Sequence, residues 1–232
     1  MATMTAELET SDEVEVIAGP GPATLADFLE GLGDVDPSRI LWTPRPGTAT
    51  EADLVACGSK LVELIDGTLV SKTMGKREGN FALTLGAILW LWNKRVNAGE
   101  LSGADGSYRI ASGLVRLPDI SFTAWSSLPN PTAHLQSVAD YPPDLAVEIL
   151  SESDRPAALQ RKIQEYFSHG TKRVWVVDPR AGTVAVFTDE SNSTTLSRND
   201  SLDGGDVLPG FTLPLAELFD DPQLNPRPPL SA

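Results

Sequence analysis

Residues 144–151 read Asp-Leu-Ala-Val-Glu-Ile-Leu-Ser, an apolar run that predicts a strand in the middle of a sheet. A period of two puts Glu148 on the same face as Ala146 and Leu150. An ionised carboxylate on such a strand is costly unless it is paired or bound to a cation. The strand alone therefore leaves three readings open: a buried salt bridge, a strand end that faces solvent, or a cation ligand.

The segments on either side of this strand predict an α+β fold. Pro156 to His169 has the apolar spacing of a helix, and Arg173 to Val177 pairs with Thr183 to Thr188 as a hairpin. Before the strand, apolar runs predict an early hairpin, a long buried helix and three further strands. These are Lys60 to Leu64 with Thr68 to Lys72, then Glu78 to Arg95, and then Ser107 to Ile110, Leu114 to Leu117 and Ile120 to Trp125.

The ends of the chain differ from its middle in charge. The formal net charge is −14, but residues 1–38 hold nine acids and no base, whereas residues 39–188 hold 15 acids and 16 bases. We expect residues 1–22 to be a disordered acidic lead, residues 23–220 to form a single domain and residues 221–232 to be a disordered tail.

No apolar run approaches the roughly 20 residues that span a bilayer, so no membrane contact is expected. A single cysteine, Cys57, excludes an internal disulfide, and we expect a cytoplasmic protein.

Two further acids interrupt apolar strands. Asp119 follows Pro118 at the start of a predicted strand, and Glu63 stands in the first hairpin. Each acid alone is weak evidence, because a Pro-Asp pair is usually a turn and a strand glutamate is usually a cross-strand partner. Three such acids, with no comparable run of bases beside them, favour a site for a hard cation such as Mg²⁺ or Mn²⁺.

Phosphodiester hydrolysis is the chemistry that these carboxylates suit, since a divalent cation polarises a phosphoryl oxygen and activates water. Lys162, on the border of the apolar stripe of its helix, is the candidate to orient that water, although an exposed helix lysine is equally consistent. The chain has no Gly-x-Ser-x-Gly, no P-loop and no Gly-x-Gly-x-x-Gly. A glycosidase would also use two carboxylates, but aromatic residues are only 6% of the chain.

Six blocks, taken in order, resemble the Uma-two family of putative restriction endonucleases, within the PD-(D/E)XK nuclease superfamily. The blocks are Glu-Leu-Ile-Asp-Gly at 63–67, Leu-Pro-Asp-Ile at 117–120, the run at 144–151, Lys-Ile-Gln-Glu-Tyr-Phe at 162–167, Val-Trp-Val-Val-Asp-Pro at 174–179 and Leu-Pro-Gly-Phe at 208–211. The resemblance covers roughly residues 38–220.

The resemblance implies a restriction-endonuclease-like core, with a mixed β-sheet flanked by helices and β-hairpin additions. Asp119 and Glu148 would be catalytic metal ligands, Glu63 an extra metal carboxylate, and Lys162 the catalytic lysine. The superfamily pattern has a lysine two residues after the second acid, and this chain has Leu150 there. The catalytic lysine would therefore have moved to the following helix.

Many relatives also place a histidine at the start of the long helix. Glu78 is the candidate substitute here as a further metal ligand, or it is simply an acid that favours a helix N-terminus.

The expectation is thus a Mg²⁺- or Mn²⁺-dependent endonuclease that acts on DNA, with a homodimer left open. The alternative is a catalytically silent dimeric module that kept the fold and serves in binding or regulation. The acidic ends and Leu150 favour the silent module, and the retained acids favour the enzyme.

Overall fold

A computed structural model of the chain describes residues 24–58, 61–222 and 224. The predicted acidic lead and most of the predicted tail lie outside these residues. The helices are α1 Leu25–Gly31, α2 Glu51–Ala56, α3 Lys76–Val96, α4 Pro156–Ser168 and α5 Leu215–Phe219. The strands are β1 Val62–Ile65, β2 Thr68–Ser71, β3 Gly99–Gly103, β4 Tyr108–Ala111, β5 Leu114–Arg116, β6 Ile120–Ala124, β7 Leu145–Ile149, β8 Arg173–Asp178, β9 Thr183–Phe187, β10 Ser193–Ser197, β11 Ser201–Asp203 and β12 Thr212–Pro214.

Two sheets dominate the described part of the chain. The larger has the order β10-β9-β8-β7-β6-β3, in which β7 and β8 run parallel and the other pairs are antiparallel. The smaller has the order β2-β1-β5-β4 and is antiparallel throughout. A short third sheet pairs β11 with β12. The mixed sheet flanked by helices confirms the predicted α+β fold class.

Strand β7 is buried on both faces, as its apolar sequence predicts. Leu145, Val147 and Ile149 pack into the core that includes α3 and α5. Ala146 packs into a second core with Ile163 of α4. The period of two was therefore assigned correctly, and it directs Glu148 toward α4.

The first hairpin positions one side of the site. Asp66 and Gly67 connect β1 to β2 with φ values of 47° and 69°. Two consecutive residues of positive φ make the tight turn whose twist matches paired strands, and Asp-Gly tolerates that conformation. The predicted hairpin is confirmed: β1 ends at Ile65, one residue later than predicted, and β2 ends at Ser71, one residue earlier than predicted.

Several short elements were not predicted from the sequence. They are α2, the edge strands β3 and β10, and the β11–β12 pair. Strand β3 reads Gly-Glu-Leu-Ser-Gly, and it exists because it pairs with β6 along its whole length. Among the described helices, none combines the length and the hydropathy that a bilayer crossing requires.

Candidate active site

A cavity of about 60 Å³ lies where the two main sheets meet α4. All five residues that the sequence singled out line it, and so do four bases and one acid that it did not assign to the site. The acids are Glu63, Glu78, Asp119, Glu148 and Asp154, and the bases are Arg39, Lys72, Arg116, Arg155 and Lys162. The cavity is large enough for an ion and a few waters.

Asp119 is fixed by the pairing of β6 with β7. Its backbone N–H donates to the carbonyl of Val147 at 2.9 Å, and its Oδ2 accepts from the N–H of Ile149 at 2.6 Å. Its other oxygen, Oδ1, lies 2.7 Å from the Nζ of Lys72. The carboxylate is only 5% exposed, so it is a buried, ion-paired group and not a solvent-exposed turn residue.

Glu148 reaches α4 from the middle of the large sheet. Its Oε1 accepts from the Tyr166 hydroxyl at 2.8 Å, and its Oε2 accepts from Lys162 Nζ at 3.2 Å. Burial, together with the charges of Asp119 and Glu63, raises the pKa of Glu148 although Lys162 and Lys72 oppose it. The buried salt bridge is thus present, and it does not fully compensate the carboxylate.

Glu63 occupies the opposite wall of the cavity and has more partners. Oε1 accepts from the N–H of Leu117 at 3.1 Å and lies 3.2 Å from Lys162 Nζ, while Oε2 lies 3.0 Å from Arg116. Burial would raise the pKa of Glu63, but Lys162, Arg116 and Lys72 outweigh it and hold that pKa well below its ordinary value. Glu63 is therefore a firmly ionised group.

Lys162 bridges the two glutamates. Its side chain is 14% exposed, so the reading as an exposed helix lysine is wrong. Burial alone would lower the pKa of Lys162, but Glu148 and Glu63 outweigh it and raise that pKa above its ordinary value. The ammonium is firmly protonated.

Further charged residues extend this network to the surface. Arg116 contacts Glu165 at 2.5 Å, Glu165 contacts Arg161 at 2.6 Å, and Arg161 contacts Asp66 at 2.7 Å. Arg116 and Lys72 were both absent from the predicted site. Of the bases that pair with the strand acids, the sequence had assigned Lys162 to the site but not Lys72 or Arg116.

The sequence did contain a signal for these two bases. Arg116 interrupts the apolar run Leu-Val-Arg-Leu, and Lys72 directly follows β2. A base in a predicted buried strand needs an acid partner just as a buried acid needs a base.

Glu78 lies in the first turn of α3 and lines the cavity, with its carboxylate folded against Gly75. Its position agrees both with a ligand and with an acid at a helix N-terminus. Its role stays a prediction.

Asp119 and Glu148 on one wall of the cavity suit a divalent cation better than Glu63 on the opposite wall. Within the described residues, no three acidic, histidine or cysteine side chains are grouped closely enough to hold a metal ion by themselves. Asp119 and Glu148 offer two hard carboxylates in one cavity, which agrees with a cation that keeps several waters. Protein groups engage both oxygens of all three acids, but Glu63 differs because it is paired with two bases, Arg116 and Lys162, and its pKa is lowered, so it is the least available for a cation.

Comparisons with known proteins agree with this architecture. Among solved structures, the chain is similar to a crystal structure of a putative nuclease belonging to DUF820 from Anabaena variabilis. The match has a TM-score of 0.60 and 20% identity, and covers 68% of this chain and 89% of that one. At that identity the likeness shows the fold alone. No curated protein matches. The model of the Uma2 family, described as putative restriction endonucleases, matches residues 57–216, and this chain therefore belongs to that family.

Proposed function

We propose that the chain is a metal-dependent endonuclease that hydrolyses phosphodiester bonds of DNA. One observation carries the proposal: Asp119 and Glu148, from neighbouring strands, line a single cavity into which Lys162 also reaches. The family match and the nuclease-like fold support the same reading.

Asp119 and Glu148 are the residues that would hold Mg²⁺ or Mn²⁺. Once bound, such a cation supplies Lewis-acid stabilisation of the charge that develops on the phosphate. Tyr166 donates a hydrogen bond to Glu148 and thereby fixes the direction of its carboxylate. Lys72 is the ammonium that now contacts Asp119, so a divalent cation would compete with it for the same oxygen.

Lys162 acts as a fixed positive charge in this proposal. Because Glu148 and Glu63 raise its pKa, it is poorly suited to accept a proton from water. It can donate hydrogen bonds to an attacking water or to a phosphate oxygen, and it can neutralise charge there. Glu63 and Arg116 hold the surrounding network, and we expect Glu63 to position Lys162 more than to bind metal.

The silent-module alternative rests on a specific observation. Each acid of the pair Asp119 and Glu148 already has a lysine partner, so both carboxylates have a counter-charge without a metal. A protein that had lost the reaction could keep such a network for stability alone.

Cleavage of supercoiled plasmid separates the two functions. We expect the full chain to nick plasmid with Mg²⁺ or Mn²⁺ and not with EDTA. Asp119→Asn should lower the rate by at least about 100-fold, because it removes a metal carboxylate. The matched control is Asp140→Asn, an exposed loop aspartate that does not line the cavity. If the wild-type chain cleaves nothing, or if Asp119→Asn cleaves as fast as wild type, the proposal is wrong.

A further inference from the structure

A second, larger cavity of about 550 Å³ opens beside the first. It is a groove between the outer face of α3 and the strand β3 with the turn that follows it, hereafter the α3–β3 groove. Met74 and Asp119 line both cavities, so the groove runs directly into the candidate active site. Whatever occupies the groove therefore lies next to the carboxylate that we assign to the metal.

The wall that α3 contributes is apolar and accessible. Leu83 is 73% exposed and Trp90 is 51% exposed, which is unusual for two large apolar side chains on one helix face. Gly86 lies between them and Gly79 lies one turn before Leu83, and both leave the groove open. A Cβ at Gly86 would have its nearest neighbour at 3.9 Å, in a side-chain atom of Ile120.

Both ends of α3 are basic, in a chain of net charge −14. Lys76 and Arg77 stand in the first turn and Lys94 and Arg95 in the last, and all four are exposed, although Arg77 also donates to the carbonyl of Pro179 at 2.8 Å. Glu78 is the one acid of the helix. Lys94 Nζ lies 4.7 Å from the centre of the Trp90 ring, so a positive charge accompanies the exposed indole.

This charge pattern distinguishes between two occupants. A second copy that packed its own α3 here would bring basic turns against basic turns, whether the two helices ran parallel or antiparallel. Like charges placed face to face disfavour that complex. A polyanion with flat apolar faces matches both features, since phosphates suit the lysines and a base can stack on the indole.

We propose that the α3–β3 groove binds an unpaired stretch of the substrate strand, with a base stacked on Trp90 and the backbone leading to Asp119. The inference rests on the proposed function and narrows its substrate to DNA that has unpaired nucleotides near the scissile bond. In a paired duplex both strands keep their bases stacked inward, so the apolar wall would gain little.

Binding of fluorescently labelled DNA tests the inference. A 20-nucleotide oligothymidine and a blunt duplex of equal length are titrated with the full chain in Ca²⁺, and anisotropy is recorded. We expect the single strand to bind at least fivefold more tightly. Trp90→Ala should weaken that binding roughly tenfold through the lost stacking contact. Trp42→Ala is the matched control, because Trp42 is also exposed and lines neither cavity.

A second variant fills the groove without removing any contact. Gly86→Met places a side chain in the open space, and it should abolish single-strand binding while the helix gains propensity. Gly86→Ala is its control and should bind like wild type.

Several outcomes would overturn the inference. It fails if the duplex binds as tightly as the single strand, or if Trp90→Ala and Gly86→Met bind like wild type. It also fails if light scattering shows a dimer that Trp90→Ala converts to monomers, because the groove is then an interface between copies. Plasmid cleavage that persists in either case would leave the proposed function intact. Absence of both DNA binding and cleavage would remove both proposals.

Discussion

Each wall of the small cavity carries a buried glutamate, but the pKa of one glutamate is lowered and the pKa of the other is raised. On the wall made by the four-stranded sheet, Glu63 has an N–H, an arginine and a lysine as partners, and its pKa is lowered. On the wall made by the six-stranded sheet, Glu148 has a tyrosine and the same lysine, and its pKa is raised. Both glutamates are almost fully buried, so burial alone does not explain the difference.

The difference between the two pKa values follows from the number of bases that lie beside each glutamate. Arg116 belongs to β5, which pairs with β1, and the small sheet therefore carries its own counter-charge for Glu63. Glu148 has Asp119, which directly precedes β6, as its acidic neighbour, and it depends on α4 for a base. An acid whose negative charge is balanced by neighbouring bases is suited to stabilising the fold. An acid whose charge is only partly balanced is suited to binding a cation.

Loss of the compensated acid should have the largest effect on folding. Glu63→Gln leaves Arg116 and Lys162 with one fewer buried partner, and we expect the free energy of unfolding to fall by about 3 kcal/mol or more. Urea unfolding followed by circular dichroism at pH 7 measures it. A loss below about 1 kcal/mol would mean that the network does not stabilise the fold.

The same change on the other wall should have a smaller effect. Glu148→Gln removes a charge whose ionisation in the folded state is already disfavoured, so we expect a change within about 1 kcal/mol in the absence of metal. The matched experiment is the same urea titration. A destabilisation as large as that of Glu63→Gln would show that Glu148 is structural as well, and would remove the contrast between the walls.

Acidification offers the smallest and most selective test. The pKa of Glu63 is lowered in the folded state, so its contribution to stability is present above its ordinary value of 4.5 and is lost as the pH falls below it. The gap in stability between wild type and Glu63→Gln should therefore narrow by roughly 1 kcal/mol between about pH 5.5 and pH 3.8. A gap that stayed constant, or that widened, would contradict the lowered pKa.

Local sequence patterns predicted most of the helices and strands. Asp66 and Gly67, for example, turn the first hairpin through the conformation of two adjacent residues. Strand β3 was not predicted, because its polar sequence, flanked by glycines, becomes a strand only by pairing with β6. Pairing partners far apart in the chain are not visible to a local pattern.

The site residues likewise divide into those that a local sequence pattern predicts and those that only the tertiary structure brings together. Glu148 and Asp119 stood out because acids in apolar strands are costly, and Lys162 because it borders an apolar stripe. The ion pairs of Lys72 with Asp119 and of Arg116 with Glu63 join residues 47 and 53 positions apart, and only the sheet arrangement brings them together. The sequence therefore indicated the acids and Lys162, but it did not indicate that Lys72 and Arg116 pair with these acids, and the pairing with Arg116 is what separates the two walls.

Calorimetric titration of Mn²⁺ tests the division between the walls most directly. The wild-type chain, Asp119→Asn and Glu63→Gln are compared, each first shown to be folded by circular dichroism. We predict one weak site in the wild-type chain, no binding in Asp119→Asn, and retained binding in Glu63→Gln. Binding by Asp119→Asn equal to that of wild type, or loss of binding in a folded Glu63→Gln, would contradict the assignment of the cation to the six-stranded wall.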